Sequence, residues 1–262
     1  MSSKQPKTYV AVLFLILAAA CSPTPEQARA KIDELELPFD ENGIGNAVLS
    51  ADTVLVELFI AAGYDVNSYE NPKTAPLMLS TRRSYWPTME LLIDAGARAE
   101  GLPGVLIAPA TRGDVKTMSM LLDVGAEIDT PESSGKTAVL RAIENHKTES
   151  VRFLLDAGAK PDGNPGGGRY GTNPLIEAIK ADQGEIVDLL IDAGADVDRL
   201  GGMPMVTPLI AAARRNQTET LDRLLAAGAD PGKTVSGLDA IQAAERAGHT
   251  ELAQRLRESS TP

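Results

Sequence analysis

The chain has 262 residues, 43% of them apolar but only 4% aromatic, so a sizeable core can form from Ala, Leu, Ile and Val, which suit close-packed helices better than a β-sandwich. Acidic residues outnumber basic ones 36 to 25, for a net charge of −11, and such a surface repels phosphate backbones, which argues against a nucleic-acid partner. A single cysteine, Cys21, excludes an internal disulfide.

The first segment carries Lys4 and Lys7 and then an apolar run from Tyr9 to Ala20. That run is well short of the ~20 residues a spanning helix needs. A short basic stretch, an apolar stretch and small residues in that order describe a secretory signal peptide over residues 1–20. Leu17-Ala18-Ala19-Ala20-Cys21 resembles the bacterial lipobox, with Ala18 standing where Leu is more usual. The resemblance implies a diacylglyceryl group on the Cys21 sulfur, cleavage before Cys21 and acylation of the new amino group. Several acyl chains at ~0.8 kcal/mol per buried CH₂ make a stable anchor. Ser22, in place of the Asp that retains lipoproteins at the inner membrane, implies the outer membrane with the protein facing the periplasm. Residues 21–41 then read as the lipidated cysteine, a stiff Ser22-Pro23-Thr24-Pro25 tether and a capping helix with Ala28, Ile32, Leu35 and Phe39 at roughly helical spacing.

Beyond this the chain repeats itself. Ala-Gly-Ala or a close variant recurs with glycines at 63, 96, 125, 158, 194 and 228, spaced by 33, 29, 33, 36 and 34 residues. An apolar helical stretch precedes each glycine, as in Val151-Arg152-Phe153-Leu154-Leu155 and Val187-Asp188-Leu189-Leu190-Ile191. Glycine best tolerates the left-handed geometry that closes a helix. A shorter helix lies upstream in each unit, opened by Ala75-Pro76-Leu77, Thr137-Ala138-Val139, Asn173-Pro174-Leu175 or Thr207-Pro208-Leu209, with Thr or Asn as cap and Pro in the first turn. Nine residues on, Ala51, Ser84, Gly113, His146, Asp182, Asn216 and Gly248 mark the turn between the two helices.

A period near 33, with Thr-Pro-Leu opening one helix and Leu-Leu-x-x-Gly-Ala closing the next, resembles the ankyrin repeat. The resemblance implies an all-α solenoid of about seven helix-turn-helix repeats with short β-hairpin fingers, covering residues 42–258 and leaving 259–262 as a tail. Two departures stand out. Pro109 falls inside the first helix of the third unit and should kink or shorten it, and the 29-residue spacing there removes a finger. The Gly-rich stretch from Gly163 to Gly171 lengthens the finger of the fifth unit instead.

Reactive groups are scarce. His146 and His249 both fall in turns and read as structural. With Cys21 lipidated, no nucleophilic cysteine or zinc cluster remains, so neither catalytic residues nor a metal or cofactor is expected, and the chain does not read as an enzyme. Gly166-Gly167-Gly168 lacks a following Gly-Lys-Thr, and Gly135-Lys136-Thr137 lacks the upstream glycine and strand of a phosphate loop. Asp94, Asp123, Asp156 and Asp192 recur once per repeat and read as a solvated acidic edge.

Binding is what remains. In an ankyrin repeat the first helix and the fingers line the concave face. Here the first helices carry Arg82, Arg83, Arg112, Arg141, Lys180, Arg214 and Arg215, a basic stripe on an acidic protein, and the fingers add Tyr69, Tyr170, Met203 and Met205. These residues are the candidate contacts for a protein partner with an acidic face. Tyr85 and Trp86, at the opposite end, either form a second contact or pack under the turn. Together the lipobox and the repeats imply an envelope-anchored protein, monomeric when free, in one of two roles. One is an inhibitor or immunity protein against a periplasmic toxin or effector enzyme; the other is a scaffold or adaptor for an envelope enzyme.

Overall fold

In each of the last four repeats a side chain closes the start of the first helix. The oxygens of Thr137, Asn173 and Thr207 accept from the backbone N–H of Leu140, Ile176 and Ile210, and Asp239 accepts from Gln242. These are donors that a helix start otherwise leaves without a partner. Pro76, Pro174 and Pro208 occupy the first turn, where the missing N–H costs nothing. The computed structural model describes residues 22–163, 173–202 and 204–259, and within them there are helices and no strand.

A leading helix, α1 (Pro25–Glu34), precedes seven helix pairs. They are α2 (Glu41–Leu49) with α3 (Thr53–Ala61), α4 (Pro76–Thr81) with α5 (Trp86–Asp94), and α6 (Ile107–Arg112) with α7 (Val115–Asp123). Next come α8 (Ala138–Glu144) with α9 (Thr148–Asp156) and α10 (Pro174–Lys180) with α11 (Gly184–Asp192). Last are α12 (Pro208–Arg214) with α13 (Thr218–Ala226) and α14 (Ala240–Arg246) with α15 (Thr250–Ser259). The residue expected to turn the chain inside each pair does so in left-handed backbone. Its φ is 55° at Ala51, Ser84, His146 and Asp182, 57° at Asn216, and 84° at Gly113 and Gly248.

The second helices share one burial register. Four and seven residues before the closing glycine, the side chains are buried: Phe59 and Val56, Leu92 and Met89, Leu121 and Met118, Leu154 and Val151, Leu190 and Val187, Leu224 and Leu221. Three residues before the glycine, Ile60, Ile93, Leu122, Leu155, Ile191 and Leu225 are only half-buried. Of each adjacent apolar pair, the first is core and the second is flank.

The chain forms two compact units, Met1–Val105 with Met120–Ala126 and Leu106–Ser119 with Glu127–Pro262. In the first, α2 packs on α3 and α4, α5 on α3 and α4, and α1 covers α3. Phe39 stacks on Phe59 with ring centroids 5.7 Å apart, Tyr64 meets both edge-on, and the Arg29 guanidinium lies 3.8 Å above the Phe39 ring. Gly43 passes so close to the chain before it that an added Cβ would sit 1.9 Å from the Pro38 carbonyl oxygen. The third unit's missing finger is replaced by tight turns, in which Leu102 N–H donates to Ala99 O at 3.2 Å and Val105 N–H to Leu102 O at 3.3 Å, with both donor side chains buried.

In the second unit the first helices α6, α8, α10, α12 and α14 each pack on the next, and so do the second helices α9, α11 and α13. Pro109 lies in a short helix. The helix starts only at Ile107, which brings Pro109 into the first turn, where no internal N–H bond is lost. The β-hairpin fingers expected from the sequence reduce, among the described residues, to isolated bridges at Gly201·Val206 and Val235·Leu238. Carboxylates hold these loops from one repeat to the next. Asp129 accepts from Lys160 N–H at 3.0 Å, Asp162 from Asp196 N–H at 3.1 Å and Asp198 from Asp230 N–H at 3.2 Å.

Candidate protein-binding face

At the turn end of the second unit, a recurring side chain just ahead of the second helix ties each repeat to the one before it. Gln183 Nε2 donates to Ile143 O at 2.9 Å, Gln217 Nε2 to Ile179 O at 2.9 Å, and His249 Nε2 lies 3.3 Å from Arg214 O. These carbonyls end first helices and have no acceptor role inside them. The Gln183 amide also meets His146 Nδ1 at 2.9 Å, and the Gln217 amide donates to Asp182 at 2.6 Å. Both histidines thus take part in the ladder, and the sequence signal for it was the polar residue recurring directly after the turn.

The candidate contacts fall into the two units. In the first, Tyr69 is half-buried in its finger, while Arg82 and Arg83 are exposed at the end of α4, with Arg82 donating to Lys73 O at 3.4 Å. Tyr85 is half-buried and Trp86 is 41% exposed. In the second unit Arg112, Arg214 and Arg215 are exposed, Arg141 and Lys180 half-buried, and Met205 is 50% exposed at its finger. Cys21, Tyr170 and Met203 lie outside the described residues.

The basic positions do not share one register. Counted from the left-handed residue of the turn, Arg82, Lys180 and Arg214 stand two places before it, and Arg83, Arg112 and Arg215 one place before it. Arg141 stands five places before, one helical turn nearer the finger, and Glu144 takes the place of the arginine. The reason is local. Arg141 donates to Glu144 at 3.1 Å and to Glu132 of its own finger, and Lys136 reaches Glu144 at 2.6 Å. Burial opposes the charge on Glu132, but hydrogen bonds from Ser134 and Arg141, and the charges of Arg141 and Lys136, hold its carboxyl below the usual range. Lys180 is likewise paired, with Glu177 at 2.8 Å.

The acidic edge expected on the second helices is also partly cancelled. Asp94, Asp123 and Asp156 are exposed, but Asp192 accepts from Arg223, which also binds Asp188, and Arg152–Glu185 and Arg255–Asp222 bridge the second helices in the same way. These pairs raise the Arg223 guanidinium further above its ordinary value, the bonds to Asp188 and Asp192 contributing most. A shallow groove of about 460 Å³ at the finger end is lined by Ile128, Thr130, Pro131, Glu127, Asp129 and Lys160. Glu127 there already accepts from Thr130. Among the described residues no group of three or more His, Cys, Asp or Glu is placed to hold a metal, and no helix is long and apolar enough to cross a membrane.

Comparison with known proteins agrees with this architecture. The family described as ankyrin repeats (3 copies) matches residues 105–200, and a single ankyrin repeat matches 206–234. Ankyrin repeat and SOCS box protein 6 of Homo sapiens is 29% identical over 140 residues, covering 47% of this chain and 33% of its own length. A putative ankyrin repeat-containing protein of Treponema pallidum is 29% identical over 140 residues, 51% of this chain and 47% of its own. The chain thus spans a third to a half of the length of these relatives. The crystal structure of the ankyrin repeat domain of Bcl-3 superposes with a TM-score of 0.67 at 22% identity, over 82% of this chain and 97% of that one.

Proposed function

We propose that this ankyrin-repeat chain is a lipid-anchored protein-binding module of the bacterial cell envelope, held at the outer membrane through Cys21 and facing the periplasm, where it binds and inhibits a toxin or effector enzyme. Ankyrin repeats bind proteins through side chains rather than act on substrates, and here they follow a short apolar run that ends in the chain's one cysteine. That pairing carries the reading. A stack of repeats offers a long rigid surface at little ordering cost, which suits tight masking of an enzyme. The anchor keeps the protein where such an enzyme would arrive. The partner presents an acidic face to the cations of the first helices, and the module acts as a monomer.

Two measurements test it. Cys21→Ala should abolish lipidation and processing, so the variant should leave the membrane fraction with changed mobility; unchanged fractionation would overturn the anchor. Capture from envelope extracts, read by mass spectrometry, should return a toxin or effector enzyme whose activity falls when the module is added. Capture of a housekeeping envelope enzyme whose activity is untouched would replace inhibition with scaffolding.

A further inference from the structure

Two residues before the turn, successive repeats of the second unit carry Glu144, Lys180, Arg214 and Arg246. The first two are neutralised within the chain, Glu144 by Lys136 and Arg141 and Lys180 by Glu177. Arg214, its neighbour Arg215 and Arg246 are exposed and make no ion pair among the described residues. Three acids of these repeats are engaged elsewhere: Glu245 with Arg257, Asp222 with Arg255, and Asp239 in capping α14. Because α12 packs on α14, the two helix ends that carry these arginines are neighbours.

At the other end of α12, Leu200 and Met205 of the finger are 37% and 50% accessible, and Pro204 is exposed beside Met205. Between finger and arginines, every residue from Pro208 to Ala213 is buried, so α12 itself offers a partner little to grip. At 1.5 Å per residue the helix separates its two ends by about 10 Å.

We propose that the sixth repeat is the centre of the interface and that it takes a carboxylate-bearing protein segment with one large apolar side chain, an inference that rests on the protein-binding reading above. The carboxylates meet Arg214, Arg215 and Arg246, whose planar guanidinium groups suit bidentate pairing, and the apolar side chain covers Leu200 and Met205. Arg and Met are the residue types that interfaces concentrate, and a few such anchors carry most of the binding energy. An acidic partner is repelled at long range by a chain of net charge −11, so attraction is strongest where cations lack internal counter-ions. Bridging about 10 Å takes an extended segment of about three residues, which sets the spacing between the apolar residue and the acid.

The test uses a phage-displayed random dodecapeptide library, panned against the full chain. Enriched peptides should place Asp or Glu about three residues from a large apolar residue, and their affinity should fall as salt rises. For a peptide so obtained, R214E/R215E and L200S/M205S should each weaken binding roughly ten-fold or more, while R82E/R83E changes it less than about three-fold. R214Q/R215Q, which keeps the shape and removes the charge, should also weaken binding, and far-ultraviolet circular dichroism checks the fold of every variant. Peptides that bind the wild type but ignore the sixth-repeat changes would overturn this inference and leave the protein-binding reading standing. Absence of any enriched peptide would count against both.

Discussion

The fourth and sixth repeats are built on the same plan and use their charges in opposite ways. In the fourth, Lys136, Glu144, Arg141 and Glu132 form one chain of ion pairs that clamps the finger to α8. In the sixth, α12 ends in Arg214 and Arg215 with no counter-ion among the described residues, and the finger leaves Leu200 and Met205 in solvent. A cation held between two carboxylates adds rigidity and has little left for a partner. A bare guanidinium adds nothing to the fold and keeps its full capacity to bind. In a repeat protein, the count of positive residues along a face therefore says less about binding than whether each one is already paired.

The core offers the first way to break this comparison, because there the two repeats should be indistinguishable. Leu154→Ala and Leu224→Ala each empty a fully buried position four residues before the glycine and should cost ~2–5 kcal/mol in urea melts. Leu155→Ala, on the half-buried flank, should cost about 1 kcal/mol. Equal losses at 154 and 155 would show that the burial register is misplaced.

That register marks where the sequence stops being legible. The period, the left-handed turns and the Thr and Asn caps can all be read directly, since each depends on residues within about ten positions of one another. The pattern Phe153-Leu154-Leu155 names two leucines without saying which faces inward, and the choice is set by neighbouring helices. At the surface, Arg141 looks like its counterparts Lys180 and Arg214, but its acid, Glu132, stands nine residues earlier in a finger whose geometry the local pattern does not reveal. The Asp129, Asp162 and Asp198 bonds to the next repeat's backbone replace expected hairpins for the same reason: the partner lies about thirty residues away.

Arg141 gives the next largest effect. Arg141→Ala removes the guanidinium shared by Glu132 and Glu144, leaving them Ser134 and Lys136 alone, and should cost about 1–2 kcal/mol after allowance for solvent screening. Arg214→Ala should shift stability by less than about 0.5 kcal/mol. A large loss at Arg214 would mean that it has a structural partner and is not free to bind.

Acid titration tests the clamp of the fourth repeat. The carboxyl of Glu132 has a folded-state value below its ordinary one. Its contribution is therefore complete above the ordinary carboxylate range and disappears as pH falls through the lowered value. In urea melts between neutral and acid pH, the stability gap between wild type and Glu132→Gln should close as pH drops. A gap that widens in acid would reverse the sign and overturn the clamp.

The smallest effect lies in the turns. His146 and Asn216 both hold left-handed backbone, with φ of 55° and 57°, yet among the described residues only the His146 side chain meets another, the Gln183 amide at 2.9 Å. Replacing His146 with Gly relieves a conformation that costs an L-residue ~1–2 kcal/mol, but it raises the entropy of the unfolded chain and loses the bond, so the net change should be near zero. In a Gln183→Ala background the bond is already absent and the same replacement should stabilise the protein. The double-mutant cycle should therefore show a coupling of about 0.5–1.5 kcal/mol between His146 and Gln183. The matching cycle in the sixth and seventh repeats pairs Asn216→Gly with His249→Ala. His249 reaches Arg214 O and not the Asn216 side chain, so those two changes should add. Coupling in the second cycle as large as in the first would show that the turn ladder is the same in every repeat, and that the fourth and sixth repeats differ only in their charges.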